Sequence, residues 1–235
     1  MALLTMCWSC DKQSEKLYDA AAIEQLDMLT ETIGALTSCS FILTTTNVKD
    51  GNAEAQHTST NDIYLRGPDK MYIYTHNAPI RKAYYYNGTR LAVLRFDEKT
   101  YDEIDAPDNI IKTIDEVHNV YGVDFPAADF FYPTLTDDMM ADFDTIAMVQ
   151  NTIVDGVGCQ QIYATNAEHA VFIAIDPKQH LPMLLEIFGK GDKAGEVYSG
   201  VFSGWKLNPK LPDTMFNFTA PEGTTKAALL TKPIN

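Results

Sequence analysis

The chain has 235 residues, enough for one large domain or two small ones, and 46% of them are hydrophobic, so it can build a substantial core and is not disordered by composition. Lysine and arginine number 18 against 32 aspartates and glutamates, a formal charge of -14, and no basic stripe interrupts the acidic excess. A nucleic-acid partner is therefore not expected, and no run approaches the roughly 18 apolar residues of a membrane-crossing helix.

The opening "MALLTMCWSCDK" is apolar, short and without a basic start. Residues 1–13 read as an N-terminal segment, the remnant of a secretory signal with the mature chain starting near Cys10. A lipid anchor on Cys7 or Cys10 stays open, although Met6, Cys7 and Trp8 depart from the spacing such a motif wants. Cys7-x-x-Cys10 is half of a metal or redox site with no second half in the chain, so no metal is expected. Cys39 and Cys159 fall in predicted strands far apart in sequence. A disulfide in an oxidising compartment and a pair of buried thiols both remain open for them.

From Ser14 to Thr37 the pattern predicts one amphipathic helix, with Ala22, Leu26, Leu29, Ile33 and Leu36 on a single stripe and Ser14 or Asp11 as its cap. The period then shortens to that of strands. "SCSFILTTTNV" is β-branched and aromatic, "AQHTSTNDIYLRG" follows, and "KMYIYTH" alternates around Met71 and Ile73. The row "KAYYYNGTRLAVLRF" reads as a hairpin, and "TYDEIDA" as the strand after it. Asp108 is the expected cap of a second helix whose stripe is Ile110, Ile114, Val117 and Tyr121, and Gly122 its stop. "FPAADFFYP" reads as a loop with a short helical piece, and Thr136 as the cap of "DDMMADFD".

The last third reads as strand throughout. "TIAMVQNTIV" meets "GCQQIYAT" across Asp155-Gly156, a strong hairpin signal. "HAVFIAID" follows, then "MLLEIF" and "VYSGVFSGWKL" around the loop "GKGDKAG", and "MFNFTAP" closes the run. Strands this closely spaced pair antiparallel, because parallel crossovers need about a dozen residues or more. The expectation is an α+β chain, with one large twisted antiparallel sheet and helices packed on one face. A single domain over residues 14–223 is expected, followed by a polar tail over 224–235.

With Asn87-Gly88 as a two-residue turn, Tyr86 pairs with Thr89 and Tyr84 with Leu91. Alternation then places Lys82, Tyr84, Tyr86, Leu91 and Val93 on one face, assigned to the concave side. Arg81, Ala83, Tyr85, Arg90, Ala92 and Leu94 take the other, assigned to the outside because it carries arginines and small residues. Core packing and ligand contact are both open for the inward tyrosines. In the aromatic loop, Phe125, Phe130, Phe131 and Tyr132 form either a lid over a cavity mouth or a plug in the open end of the sheet.

Motifs for catalysis are missing. None of the five histidines forms HxxxH or HExxH, and there is no G-x-S-x-G elbow, P-loop or G-x-G-x-x-G. "FGKGDKAG" is glycine-rich but lies between strands, and Asp137, Asp138, Asp142 and Asp144 lack the EF-hand order and read as a solvated face.

The segments "GPDKMYIYT", "YYYNGTRLAVL", "VHNVYGVDFPAADFFY", "VDGVGCQQIYA" and "WKLNPKLPDTMFNFTAPEG" resemble the predicted periplasmic proteins called domain of unknown function 2092. Members of that family are similar to the lipoprotein-carrier (LolA-like) superfamily. The resemblance covers nearly the whole chain after residue 15. It implies a curved, half-open antiparallel β-barrel with helices packed on its concave face over an apolar cavity, in an exported protein of the periplasm or cell envelope. The expected function is non-enzymatic binding of a lipid, acyl chain or lipoprotein tail by a monomer without cofactors. The alternatives are an envelope protein–protein interaction module with a filled core, and, more remotely, a hydrolase whose site the motifs miss. Candidate cavity-wall residues on the strands are Met71, Ile73, Tyr84, Tyr86, Leu91 and Val93. On the helix and the aromatic loop they are Ile114, Val117, Phe130 and Phe131.

Overall fold

The computed structural model describes residues 16–49 and 56–231. In chain order the elements are β1 (Leu17–Tyr18), α1 (Ala20–Gly34), β2 (Ser38–Val48), β3 (His57–Arg66), β4 (Lys70–His76), β5 (Lys82–Tyr86), β6 (Arg90–Arg95) and β7 (Thr100–Asp105). Then come α2 (Ile110–Tyr121), α3 (Leu135–Asp142), β8 (Thr145–Val154), β9 (Val157–Thr165), β10 (His169–Asp176), β11 (Leu181–Gly189), β12 (Val197–Leu207) and β13 (Thr225–Lys226). The strands form one sheet in the order β1-β8-β9-β10-β11-β12-β2-β3-β4-β5-β6-β7-β13. Two meanders, β2 to β7 and β8 to β12, join where β12 returns antiparallel to β2. Only the outermost pairs, β1 on β8 and β13 on β7, run parallel, and each is two residues long. The sheet curls without closing, and the helices lie in its hollow. This is the half-open antiparallel barrel that the resemblance implies.

Alternation along the strands builds the core. Phe41 and Leu43, Ile63 and Leu65, and Met71 and Ile73 all point into the hollow and are nearly inaccessible. The stripe of α1 (Ala22, Leu26, Leu29, Ile33) closes over them. This helix begins at Ala20, later than Ser14. The preceding Tyr18 is held extended opposite Ile146, so Asp19 becomes the cap, its carboxylate accepting the Ala21 and Met148 amides. Ser14 and Asp11 lie outside the described residues, as do Cys7 and Cys10. In α2 the cap is Asn109, whose side-chain oxygen accepts the Ile111 amide at 2.8 Å; the expected Asp108 instead pairs with Lys112 at 3.1 Å. Gly122 ends α2 at φ 64°, a left-handed conformation that glycine adopts without penalty. Helix α3 follows Thr134 rather than Thr136, which is itself buried. Among the described residues no helix is long and apolar enough to cross a membrane.

The tyrosine hairpin departs from its expected register. Tyr86 pairs with Leu91 and Tyr84 with Val93, and the turn centres on Gly88 and Thr89, with the Asn87 amide reaching the Arg90 carbonyl. The displacement is two residues, so every side chain keeps its face. The Asn87 side-chain oxygen sets the turn by accepting the Thr89 and Arg90 amides.

The Ala83 face of this hairpin lies on the outside, as assigned, but it is covered. Ala83, Ala92 and Leu94 are buried. "MFNFTAP" forms no strand. It belongs to an irregular strap that crosses the convex side, where Phe218 packs on Tyr85 and on Tyr101 with ring centroids 5.4 and 5.2 Å apart. Phe218 thereby straddles β6, which lies between those two strands. Arg66 anchors the strap by pairing with Asp213 and lying 5.2 Å above the fully buried Phe216 ring. Tyr85 also continues an outer tyrosine row, 4.9 Å from Tyr72, which lies 5.9 Å from Tyr64. Beyond Gly223 the chain pairs through β13, and Asp102 accepts the Leu229 and Leu230 amides at 3.0 and 3.1 Å. Leu230 joins the core. Cys39 and Cys159 are separate buried thiols in different clusters; burial pushes the Cys39 thiol up to about 12.

Candidate functional site

Three adjoining cavities, each about 340 Å³, run along the hollow between the sheet and the helical segment. The first is mostly apolar, walled by Val171 and Ile173 on β10, Leu185 and Ile187 on β11, and Phe130 and Met139, with Asp129, Asp138 and Asp142 also in its lining. The second lies under α2, against Ile114 and Tyr198, and shares Asp129, Tyr132, Leu185 and Ile187 with the first. The third shares Asp124, Phe125, Pro126 and Tyr198 with the second and ends against β2 to β5.

Residues 124–132 roof this trough. Phe125 meets Tyr84 edge-on at 5.1 Å, Phe130 meets Phe202 edge-on at 5.5 Å, and Phe131 stacks on Phe41 at 5.8 Å. The roof is stapled to α2 at both ends. His118 bonds Asp124 at 2.6 Å, and the Tyr132 hydroxyl donates to Asp115 at 2.6 Å. Of the two readings of the aromatic loop, a seated plug describes this packing.

The floor changes character along the strands. One cross-strand row, Ile63–Ile73–Tyr84–Val93, is mostly apolar. The next row on the same face is Asn61–Thr75–Lys82–Arg95, and Thr45 pairs with Ser59 beside it. Asn61, only 2% exposed, donates to the Leu43 carbonyl at 3.1 Å and accepts the Thr75 hydroxyl at 2.8 Å. Burial at the roof also shifts titrations. The Asp129 carboxyl is raised, chiefly by desolvation, with Asp124 and Asp138 adding repulsion. The Tyr198 phenol is pushed up to about 12 by burial and by the Asp129 charge.

Ile73 and Tyr84 wall the third cavity, Ile114 the second and Phe130 the first. Met71, Tyr86, Leu91, Val93 and Val117 sit in the packed core and wall none of the three, and Phe131 is taken up by its stack on Phe41. The Tyr86 hydroxyl finds its partner in the Pro107 carbonyl. Sequence reasoning passed over Leu185, Ile187, Tyr198 and the polar row. The polar row did leave a signal: the inward positions of β2, β3 and β4 turn from apolar to polar at Thr45, Asn61 and Thr75.

A curled, unclosed sheet with helices and a trough in its hollow defines a half-open antiparallel barrel. The chain belongs to the family described as predicted periplasmic protein, domain of unknown function 2092, whose model matches residues 22–230. That membership places it with exported, periplasmic proteins. No curated protein matches it in sequence. Among solved structures it is similar to MucB, at 11% identity and a TM-score of 0.52, covering 86% of this chain and 64% of that one. In the Pseudomonas aeruginosa MucA/MucB complex the figures are 14%, 0.50, 86% and 62%. The chain thus spans slightly less than two thirds of the MucB chains it matches. It is also similar to an uncharacterized conserved protein from Thermus thermophilus, at 8% identity and a TM-score of 0.50, covering 88% and 98%. The Mycobacterium tuberculosis lipoprotein LppX matches at 14% identity and a TM-score of 0.49, over 83% and 98%.

Proposed function

We propose that this exported protein is a non-enzymatic binding protein that holds an apolar ligand, a lipid, acyl chain or lipoprotein tail, between the sheet and the helices. The observation that carries the reading is the trough of three adjoining cavities of about 340 Å³ each. Small-molecule sites are about 300–1,000 Å³ and mostly apolar with a few placed polar groups. Each methylene buried from water contributes about 0.8 kcal/mol, so a chain lying along the trough binds without any charged contact. The protein acts as a monomer in this reading.

Native mass spectrometry after mild purification tests it. An adduct of lipid mass that is lost on solvent extraction, with uptake of a fluorescent fatty acid by the extracted protein, is the expected result. No adduct and no uptake would sink the proposal. A second reading is an interaction module. It is favoured by the similarity to MucB, which is described in complex with MucA, and it predicts a co-purifying polypeptide in place of a lipid.

A further inference from the structure

We propose that the trough binds its ligand in one direction, with a single carboxylate head at Lys82 and the apolar chain running toward Leu185 and Ile187. The ligand class is a single-chain fatty acid. This rests on the reading that the trough takes an apolar chain, and adds the head group and its orientation.

The polar row is built before any ligand arrives. Asn61, Thr75, Thr45 and Ser59 satisfy one another, with the Thr45 and Ser59 hydroxyls 2.8 Å apart. Two groups on the wall of the same cavity are left over. The half-buried Lys82 ammonium lies 5.3 Å above the Tyr84 ring and has no acidic partner among the described residues. The buried Tyr198 hydroxyl has no hydrogen-bond partner there either. Buried polar groups are nearly always paired, so a cation without an acidic partner on this wall, with an unpaired hydroxyl buried behind it, marks where an acceptor sits.

The neighbouring charges compete little. Arg95 is engaged by Glu98 at 3.2 Å, and the side chain of Asp124, the one acid on this cavity's wall, is 80% exposed, so solvent and salt screen it. The first cavity carries Asp138 and Asp142 and no lysine or arginine, and Asp129 lies between it and the second. An anionic head is repelled there and attracted at Lys82, so the charge pattern sets direction. One cation and one hydroxyl suit a monoanion, and a formal charge of -14 opposes a dianion such as a phosphate monoester.

The test is a fluorescence titration of the delipidated full chain with cis-parinaric acid and with the corresponding alcohol, which has the same chain and no charge. The expected result is that the acid binds about tenfold more tightly than the alcohol, the worth of one charge-assisted hydrogen bond. Lys82→Met should abolish that preference while leaving alcohol binding within about twofold, and Lys82→Arg should restore it. Equal binding of acid and alcohol by the unaltered protein overturns the orientation and leaves the carrier reading standing. Equal weakening of both probes by Lys82→Met overturns it too, because that is a structural effect. Displacement of the alcohol by hexadecylamine more readily than by palmitate would show that the acidic end selects the head group. Binding of no probe at all sinks both this proposal and the function on which it rests.

Discussion

Truncating Phe130 to alanine tests whether the roof is a plug. The ring is 3% exposed, stands edge-on to Phe202 at 5.5 Å, and forms part of the wall of the first cavity. Phenylalanine-to-alanine changes in cores cost about 3–5 kcal/mol, the spread reflecting how far the site relaxes. The hole left here merges with a cavity of about 340 Å³, so little of it becomes a new closed void, and about 3 kcal/mol is expected. With an m-value of about 2–3 kcal/mol/M in urea, the unfolding midpoint falls by about 1 M or more. Trp205, stacked 4.2 Å from Phe41, supplies the fluorescence signal. Tyr132→Phe is the control. It removes one hydroxyl bond to the exposed Asp115 and should cost about 1 kcal/mol or less. A Phe130→Ala cost below about 1 kcal/mol would refute the argument and mark residues 124–132 as a loosely held lid.

Asn61→Ala should destabilise by about 2–3 kcal/mol in the same assay, because it leaves the Thr75 hydroxyl without its acceptor in a buried row; a cost under about 0.5 kcal/mol means that water replaces it. Asp102→Ala removes the carboxylate that accepts the Leu229 and Leu230 amides. Hydrogen–deuterium exchange of those two amides should speed up at least about tenfold while the central strands stay protected, and unchanged exchange would show that β13 and Leu230 suffice. Gly88 and Gly34 give opposite signs on substitution by alanine. At Gly88 φ is +91° and a Cβ would lie 2.9 Å from the Asp69 carboxyl carbon, so about 1–3 kcal/mol of destabilisation is expected. At Gly34, inside α1 with nothing within 4 Å, alanine should stabilise by up to about 1 kcal/mol; thermal melts that reverse these signs would contradict both.

Much of the sheet was legible because periodicity is a local signal. Ser38–Val48, Lys70–His76, Thr145–Val154 and His169–Asp176 begin and end where the strand-like runs of the sequence do. The faces of the tyrosine hairpin were legible for a further reason. An error of two residues in register preserves side-chain parity, so Tyr84 and Tyr86 still point inward. Long-range effects were not legible. The start of α1 depends on Tyr18 pairing with Ile146, far along the chain. The small residues Ala83 and Ala92 do lie on the outside, but nothing local told of the strap from residues near 218 that covers that side. Phe216 and Phe218 alternate like a strand, yet each fills a separate site on the convex face. The hollow itself was the least legible. Its walls combine β10, β11, β12 and the roof, whose proximity follows from how the sheet curls.

The open seam between β8 and β7 has a mechanical consequence. A closed barrel has its radius set by strand number and stagger, so its interior volume is a constant of the topology. Among the described residues no ladder joins the two lips, and each is edged by a two-residue parallel stub. The gape is therefore not fixed by the topology. In the proposed function the sheet would act as a leaf spring wrapped around its contents, a bulkier guest widening the gape without breaking a strand-to-strand hydrogen bond.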